Sequence, residues 1–117
     1  ETNFFMVFNL KIAGSKKILD YYAQIFNLNE IPSELICEIP ASPKFDVKIG
    51  EIDKSSGKYS GDCIKAAAKM CLEKKADAIV TLPISKEALN LGGYNFNGHT
   101  EMLTSLSNAF ASAMILY

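Results

Sequence analysis

Short continuous apolar runs along this chain alternate with longer stretches whose apolar residues recur three and four apart. The first pattern is that of buried strands, the second that of helices with one dry face. Residues 4–10, rich in Phe and branched side chains, read as an opening strand. Gly14-Ser15 breaks the run and Ser15 offers an N-cap. Ile18, Leu19, Tyr22, Ile25 and Phe26 then predict a helix ending near Asn27. From Asn29 to Asp53 the pattern changes. Pro32, Pro40 and Pro43 punctuate it, leaving residues 35–39 and 47–52 as strand candidates in a small antiparallel or edge β excursion around residues 30–53. Residues 53–57 read as a turn cluster. Ser60 is then the expected cap of a helix with Ile64, Ala67, Ala68, Cys71 and Leu72 on its apolar face and Lys74 and Lys75 in its last turn. Residues 77–82 form a second buried strand ended by Pro83, and residues 85–91 a short helix stopped by Gly92-Gly93. Thr100 opens a helix carrying Leu103, Leu106 and Phe110, and the run from Ala113 is a last strand. Strands separated by helices predict the α/β class, a mostly parallel sheet with helices on both faces. Both ends resemble sheet strands lacking neighbours. Residues 1–117 therefore read as a single partial α/β segment of a longer protein.

Composition narrows the function. Of 117 residues, 12 are Lys or Arg and 13 Asp or Glu, a net charge of −1, which gives no general grip on nucleic acid or an anionic membrane. At 49% hydrophobic and 21% charged the chain is globular. No run approaches the ~18–20 apolar residues of a membrane span, and no secretory signal pattern is present. Three cysteines without a C-x-x-C pair fit a reduced, cytoplasmic protein. Cys37, Cys63 and Cys71 are spaced too widely for zinc-ligand pairs, and neither dinucleotide nor P-loop fingerprints occur.

In open α/β sheets, ligands lie beyond the carboxyl ends of the strands, where loops enter helices. Two loops meet that description, residues 81–86 and residues 97–101, and they are expected on one rim facing a shared cleft. Lys86 opens a helix, where its charge opposes the macrodipole. It is either a solvated lysine or one offset by a bound anion or by Glu87 or Glu101. His99 is the single histidine, and a lone histidine is often just packed. Here, however, Gly98 permits close backbone approach and Thr100 adds a hydroxyl and an N–H at a helix start, which together can seat a phosphate ester. Glu101 reads as an ordinary acidic residue of a first helical turn.

The run Ala76-Asp77-Ala78-Ile79-Val80-Thr81-Leu82-Pro83-Ile84-Ser85-Lys86-Glu87-Ala88-Leu89-Asn90 resembles the strand and P-x-x-K turn of the 4-hydroxythreonine-4-phosphate dehydrogenases. Gly98-His99-Thr100-Glu101 matches that family's G-H-T-E segment at the expected distance, after Gly93-Tyr94. Ser60-Gly61 and the Ala-rich helix fit more loosely. The resemblance implies an isocitrate/isopropylmalate dehydrogenase-like α/β/α fold and a homodimer. The implied reaction is NAD-dependent oxidation and decarboxylation of 4-phosphohydroxy-L-threonine on the route to pyridoxal phosphate. His99 and Thr100 correspond by motif position to substrate contacts, with Lys86 a further candidate. A divalent metal (zinc, magnesium or cobalt) is held in that family by histidines downstream of G-H-T-E, outside this chain. The family's G-D-P-A-G-I-G-type opening segment is also absent, so the segment by itself is expected to be inactive. Two other readings stand beside this one: a non-catalytic phosphate-ester-binding domain of the same fold, and a related dehydrogenase for another phosphorylated four-carbon hydroxy acid.

Overall fold

The computed structural model describes residues 8–42, 46 and 48–116, and the chain divides into two compact units, residues 1–42 and 43–117. In the first, strand β1 (Ile12–Gly14) leads into helix α1 (Lys16–Ile25), and a 3-10 turn (Ser33–Leu35) leads into strand β2 (Ile36–Glu38). The two strands pair in parallel, Ile12 opposite Ile36 and Gly14 opposite Glu38. The strand read at residues 35–39 therefore exists, but it closes a βαβ unit and does not form an antiparallel excursion. Its last residue also completes the helix. Ser15 occupies the N-cap of α1 without a side-chain cap bond, and instead the Lys16 amide donates to Glu38 Oε2 at 2.9 Å. A carboxylate there also suits the positive end of the helix dipole.

The second unit is helical among its described residues: α2 (Lys54–Leu72), α3 (Lys86–Leu91) and α4 (His99–Leu106). Helix α2 begins seven residues earlier than expected, because its N-cap is Asp53 and not Ser60. The Ser56 amide donates to Asp53 Oδ2 at 2.9 Å, and the Ser55 hydroxyl donates to the same oxygen. What reads as a turn cluster is thus the capped first turn of a helix. Ser60 lies inside it, its hydroxyl donating to the Ser56 carbonyl at 2.9 Å.

Among the described residues all four α-helices end in one way. A residue with positive φ (Asn27, Lys74, Gly93, Asn108) follows the C-cap, and the next amide reaches back to the third-last carbonyl of the helix. Those bonds are Leu28 to Ala23 at 2.8 Å, Lys75 to Met70 at 2.9 Å, Tyr94 to Leu89 at 3.1 Å and Ala109 to Thr104 at 3.2 Å. This satisfies carbonyls that the helix ends would orphan. Lys74 and Lys75 accordingly form the reversal after α2; Lys69 is the basic residue of its last turn.

Leu89 of α3 and Met102 of α4 are fully buried against Ile64 of α2, with Ile84, Tyr94, Phe96, Leu103 and Leu106 around them. Close approach of α2 to α3 depends on glycine. A Cβ on Gly57 would lie 1.7 Å from the Ala88 carbonyl oxygen, and one on Gly92 2.3 Å from the Lys58 amide nitrogen.

Three expected strands differ from the structure. Residues 77–82 form no strand, and Val80 and Leu82 are 88% and 78% exposed. The run from Ala113 is likewise unpaired through Leu116, and Lys48 to Ile52 forms a turn. A strand needs a partner for its backbone groups, and the described residues of this unit offer none. Phe110 lies beyond the end of α4 and is exposed, so it is not part of that helix's apolar face. Most of the predicted opening strand, residues 4–7, lies outside the described residues; Phe8 to Leu10 is not strand, and β1 begins at Ile12. Among the described residues, no helix is long and apolar enough to cross a membrane.

Candidate functional site

Loop residues 92–98 bring α4 to its place. Gly93 turns the chain after α3, and the Tyr94 ring covers Gly61 of α2, where a Cβ would lie 2.2 Å from the ring. The Tyr94 hydroxyl donates to Asp62 Oδ1 at 2.6 Å, while Lys58 Nζ holds Asp62 Oδ2 at 2.7 Å. Partial burial, together with the Asp62 carboxylate, pushes the Tyr94 phenol up to about 12. Burial alone would raise Asp62, but the bonds from Lys58 and Tyr94 together hold it below the usual carboxylate value. Asn90 Nδ2 donates to the Phe96 carbonyl at 3.3 Å and so ties α3 to the same loop.

Gly98 is the N-cap of α4 and His99 its first residue, one position earlier than the sequence pattern indicates. The decisive contact is His99 Nε2 to the Leu82 carbonyl oxygen, at 2.9 Å. A carbonyl only accepts, so Nε2 carries the proton and Nδ1 is left for a second partner. Through this bond the loops at residues 81–86 and 97–101 come together, but not on one sheet rim around a shared cleft: residues 77–82 form no strand, and Thr100 and Lys86 line different hollows. Thr100 sits next on the helix and lines a mainly apolar hollow of about 470 Å³ with Ala68, Cys71, Ile79 and Leu103.

Lys86 is placed differently. It is exposed at the start of α3 and lines a separate hollow with Glu87, Asn90 and Leu91. Its charge is felt by Glu101, whose carboxyl is held below its usual value first by the Asn97 side chain, then by the Asn97 amide, with Lys86 adding to the effect. Glu101 thus offsets the unfavourable position of a lysine at a helix N-terminus.

Asn97 and Leu82 are partners that sequence reasoning does not single out. Glu101 accepts from both the Asn97 amide and Asn97 Nδ2, each at 2.9 Å. Its available signal is the four-residue spacing of Asn97 and Glu101 across a helix start, a variant of the capping box. The Leu82 carbonyl carries no signal at all, being main chain. Among the described residues, no three His, Cys, Asp or Glu side chains converge as a metal set.

The sequence profile of the family described as "Pyridoxal phosphate biosynthetic protein PdxA" matches residues 7–117. The chain belongs to that family. A 4-hydroxythreonine-4-phosphate dehydrogenase from Sulfurimonas denitrificans is 41% identical over 90 residues, covering 71% of this chain and 29% of the relative. One of the same name from Sulfurihydrogenibium sp. is 38% identical over 116 residues, covering 90% and 35%. The D-threonate 4-phosphate dehydrogenase of Salmonella typhimurium is 34% identical over 82 residues, covering 70% and 25%. A solved structure from Salmonella typhimurium, provisionally named a 4-hydroxythreonine-4-phosphate dehydrogenase, superposes with a TM-score of 0.65 at 28% identity, over 93% of this chain and 32% of that one. The chain therefore spans between a quarter and about a third of the length of these PdxA relatives.

Proposed function

We propose that this chain is the part of an NAD-dependent dehydrogenase that grips the phosphate end of 4-phosphohydroxy-L-threonine, the whole protein oxidising and decarboxylating that substrate in pyridoxal phosphate biosynthesis. Membership of the PdxA family and the names of its relatives support the reaction. The observation that carries the site is the His99–Leu82 bond, which sets an imidazole and the first turn of α4 at one place. There the Thr100 hydroxyl and the first amides of α4 donate to phosphate oxygens, where the helix dipole favours negative charge. With Nε2–H committed to Leu82, a phosphate oxygen meets Nδ1, which donates only in the imidazolium form. Lys86 adds positive field from α3 without a direct contact.

The whole protein on this reading is a cytoplasmic homodimer with an isocitrate/isopropylmalate dehydrogenase-like α/β/α fold. Its divalent metal (zinc, magnesium or cobalt) takes ligands from elsewhere in the polypeptide, because the described residues supply no such set. NAD, when bound, accepts the hydride from the substrate's hydroxyl-bearing carbon. The relatives named for D-threonate 4-phosphate favour a second reading of the same site, a dehydrogenase for that ester, since the phosphate grip is common to both.

Substrate titration and metal analysis on one variant test the assignment. In the whole protein, His99→Ala raises the substrate's dissociation constant roughly tenfold or more, the effect of losing a charge-assisted donor. Metal content stays unchanged. Loss of the metal with normal binding of an unreactive phosphate analogue would assign His99 to the metal instead. Turnover of each phosphate ester separates the two dehydrogenase readings.

A further inference from the structure

We propose that Glu101 is a positioning residue for the His99–Thr100 phosphate site, acting through Asn97; this rests on the phosphate-binding reading above. A carboxylate two residues beyond His99 would repel a phosphate if it faced the site. Here both oxygens are occupied, Oε2 by the Asn97 amide and Oε1 by Asn97 Nδ2, each at 2.9 Å. The bonds close a five-residue loop whose interior is Gly98, His99 and Thr100. Ordinarily a glutamate at the third helical position reaches back to the N-cap amide while the cap's own side chain bonds forward. Gly98 has no side chain to bond forward, and Glu101 reaches one residue further back. The clamp consequently replaces the missing cap and fixes the direction of the first turn of α4, while the Leu82 carbonyl fixes the ring from the other side. Without the clamp, glycine at the helix entrance leaves the backbone of His99 and Thr100 free to turn. The phosphate donors then lose their common focus even though each is still present.

The test compares Glu101→Ala, Glu101→Gln and Asn97→Ala in the whole protein, with His99→Ala as reference. The readouts are KM for the phosphorylated substrate, kcat, and competitive inhibition by inorganic phosphate. Glu101→Ala is expected to raise both KM and the phosphate inhibition constant roughly tenfold, with kcat kept to within about threefold. Glu101→Gln retains a carbonyl acceptor and recovers most of the loss; Asn97→Ala, which removes one of the two donors, falls between. A lowered kcat at unchanged KM marks a merely structural role and overturns the proposal. So does an unchanged KM in Glu101→Ala when His99→Ala raises it. An unchanged KM in His99→Ala overturns the site reading, and the clamp with it. Should Glu101→Ala fail to fold, the Gln and Asn97 variants decide: a graded rise in KM upholds the clamp, and parental values in both reject it.

Discussion

Asp53 shows how one side chain can redefine where an element begins. Bonds from the Ser55 hydroxyl and the Ser56 amide, with Lys48 nearby, hold its carboxyl at about 2, against 3.8 ordinarily. A depressed folded-state value means that the ionised form is preferred in the folded protein. Its stabilising effect is complete above the unfolded value near 4, and is lost as pH falls from there toward 2. Thermal midpoints measured across that window should therefore drop more steeply for the parent than for Asp53→Ala. At neutral pH the same variant should melt roughly 3–6 °C lower, the scale of a lost helix cap in a chain whose length lies between small and mid-sized domains. The sequence leaves this position ambiguous for a physical reason. Asp, Ser and Gly favour turns by the same local hydrogen bonds with which they cap helices, and Asp53-Lys54-Ser55-Ser56-Gly57 satisfies both descriptions.

At the scale of elements, helices were legible and most strands were not. α1 and α3 follow from residues a few positions apart, whose spacing and stop signals are local. Gly92-Gly93 ends α3 as the pattern implies, while Ser85, read as the first residue of that helix, caps it by accepting from the Ala88 amide at 3.2 Å. Residues 77–82 have a strand's composition, but pairing is non-local and the partner determines the outcome. The α2–α3 contact is equally non-local: nothing in Gly57 announces that its α-carbon faces the Ala88 carbonyl. Gly57→Ala must force two backbones apart and is expected to cost about 3 kcal/mol or more. Gly93→Ala meets nothing within 4 Å and bears only the strain of φ +97°, about 1–2 kcal/mol. Urea denaturation of the two variants should rank them in that order; equal losses would refute the close approach as the cause.

For the whole molecule, the apolar surface is the informative quantity. Val80, Leu82, Met114, Ile115 and Leu116 are each more than 70% exposed, lying along two segments without regular secondary structure. The relatives are roughly three times as long, and the partners for these segments are expected in that additional length. Hydrogen exchange distinguishes the cases. Amides of residues 78–82 and 113–116 should exchange slowly in the whole protein and rapidly in the 117-residue chain, and rapid exchange in both would show that these runs pair with nothing. The order of the P-x-x-K turn and the G-H-T-E segment made the candidate site visible in the sequence, with His99 and Thr100 at its centre. Its supports, Asn97 and the Leu82 carbonyl, are set by the path of the folded chain.

The His99 imidazole is addressed to a main-chain atom, and this makes the bond indifferent to the side chain at residue 82. Any amino acid offers the same carbonyl, so mutational drift there is silent to the ring as long as the loop keeps its path. In the 117-residue chain Leu82, with its side chain largely exposed, is thus a place where an engineer can attach a fluorophore beside His99 while the hydrogen bond that orients the ring stays intact.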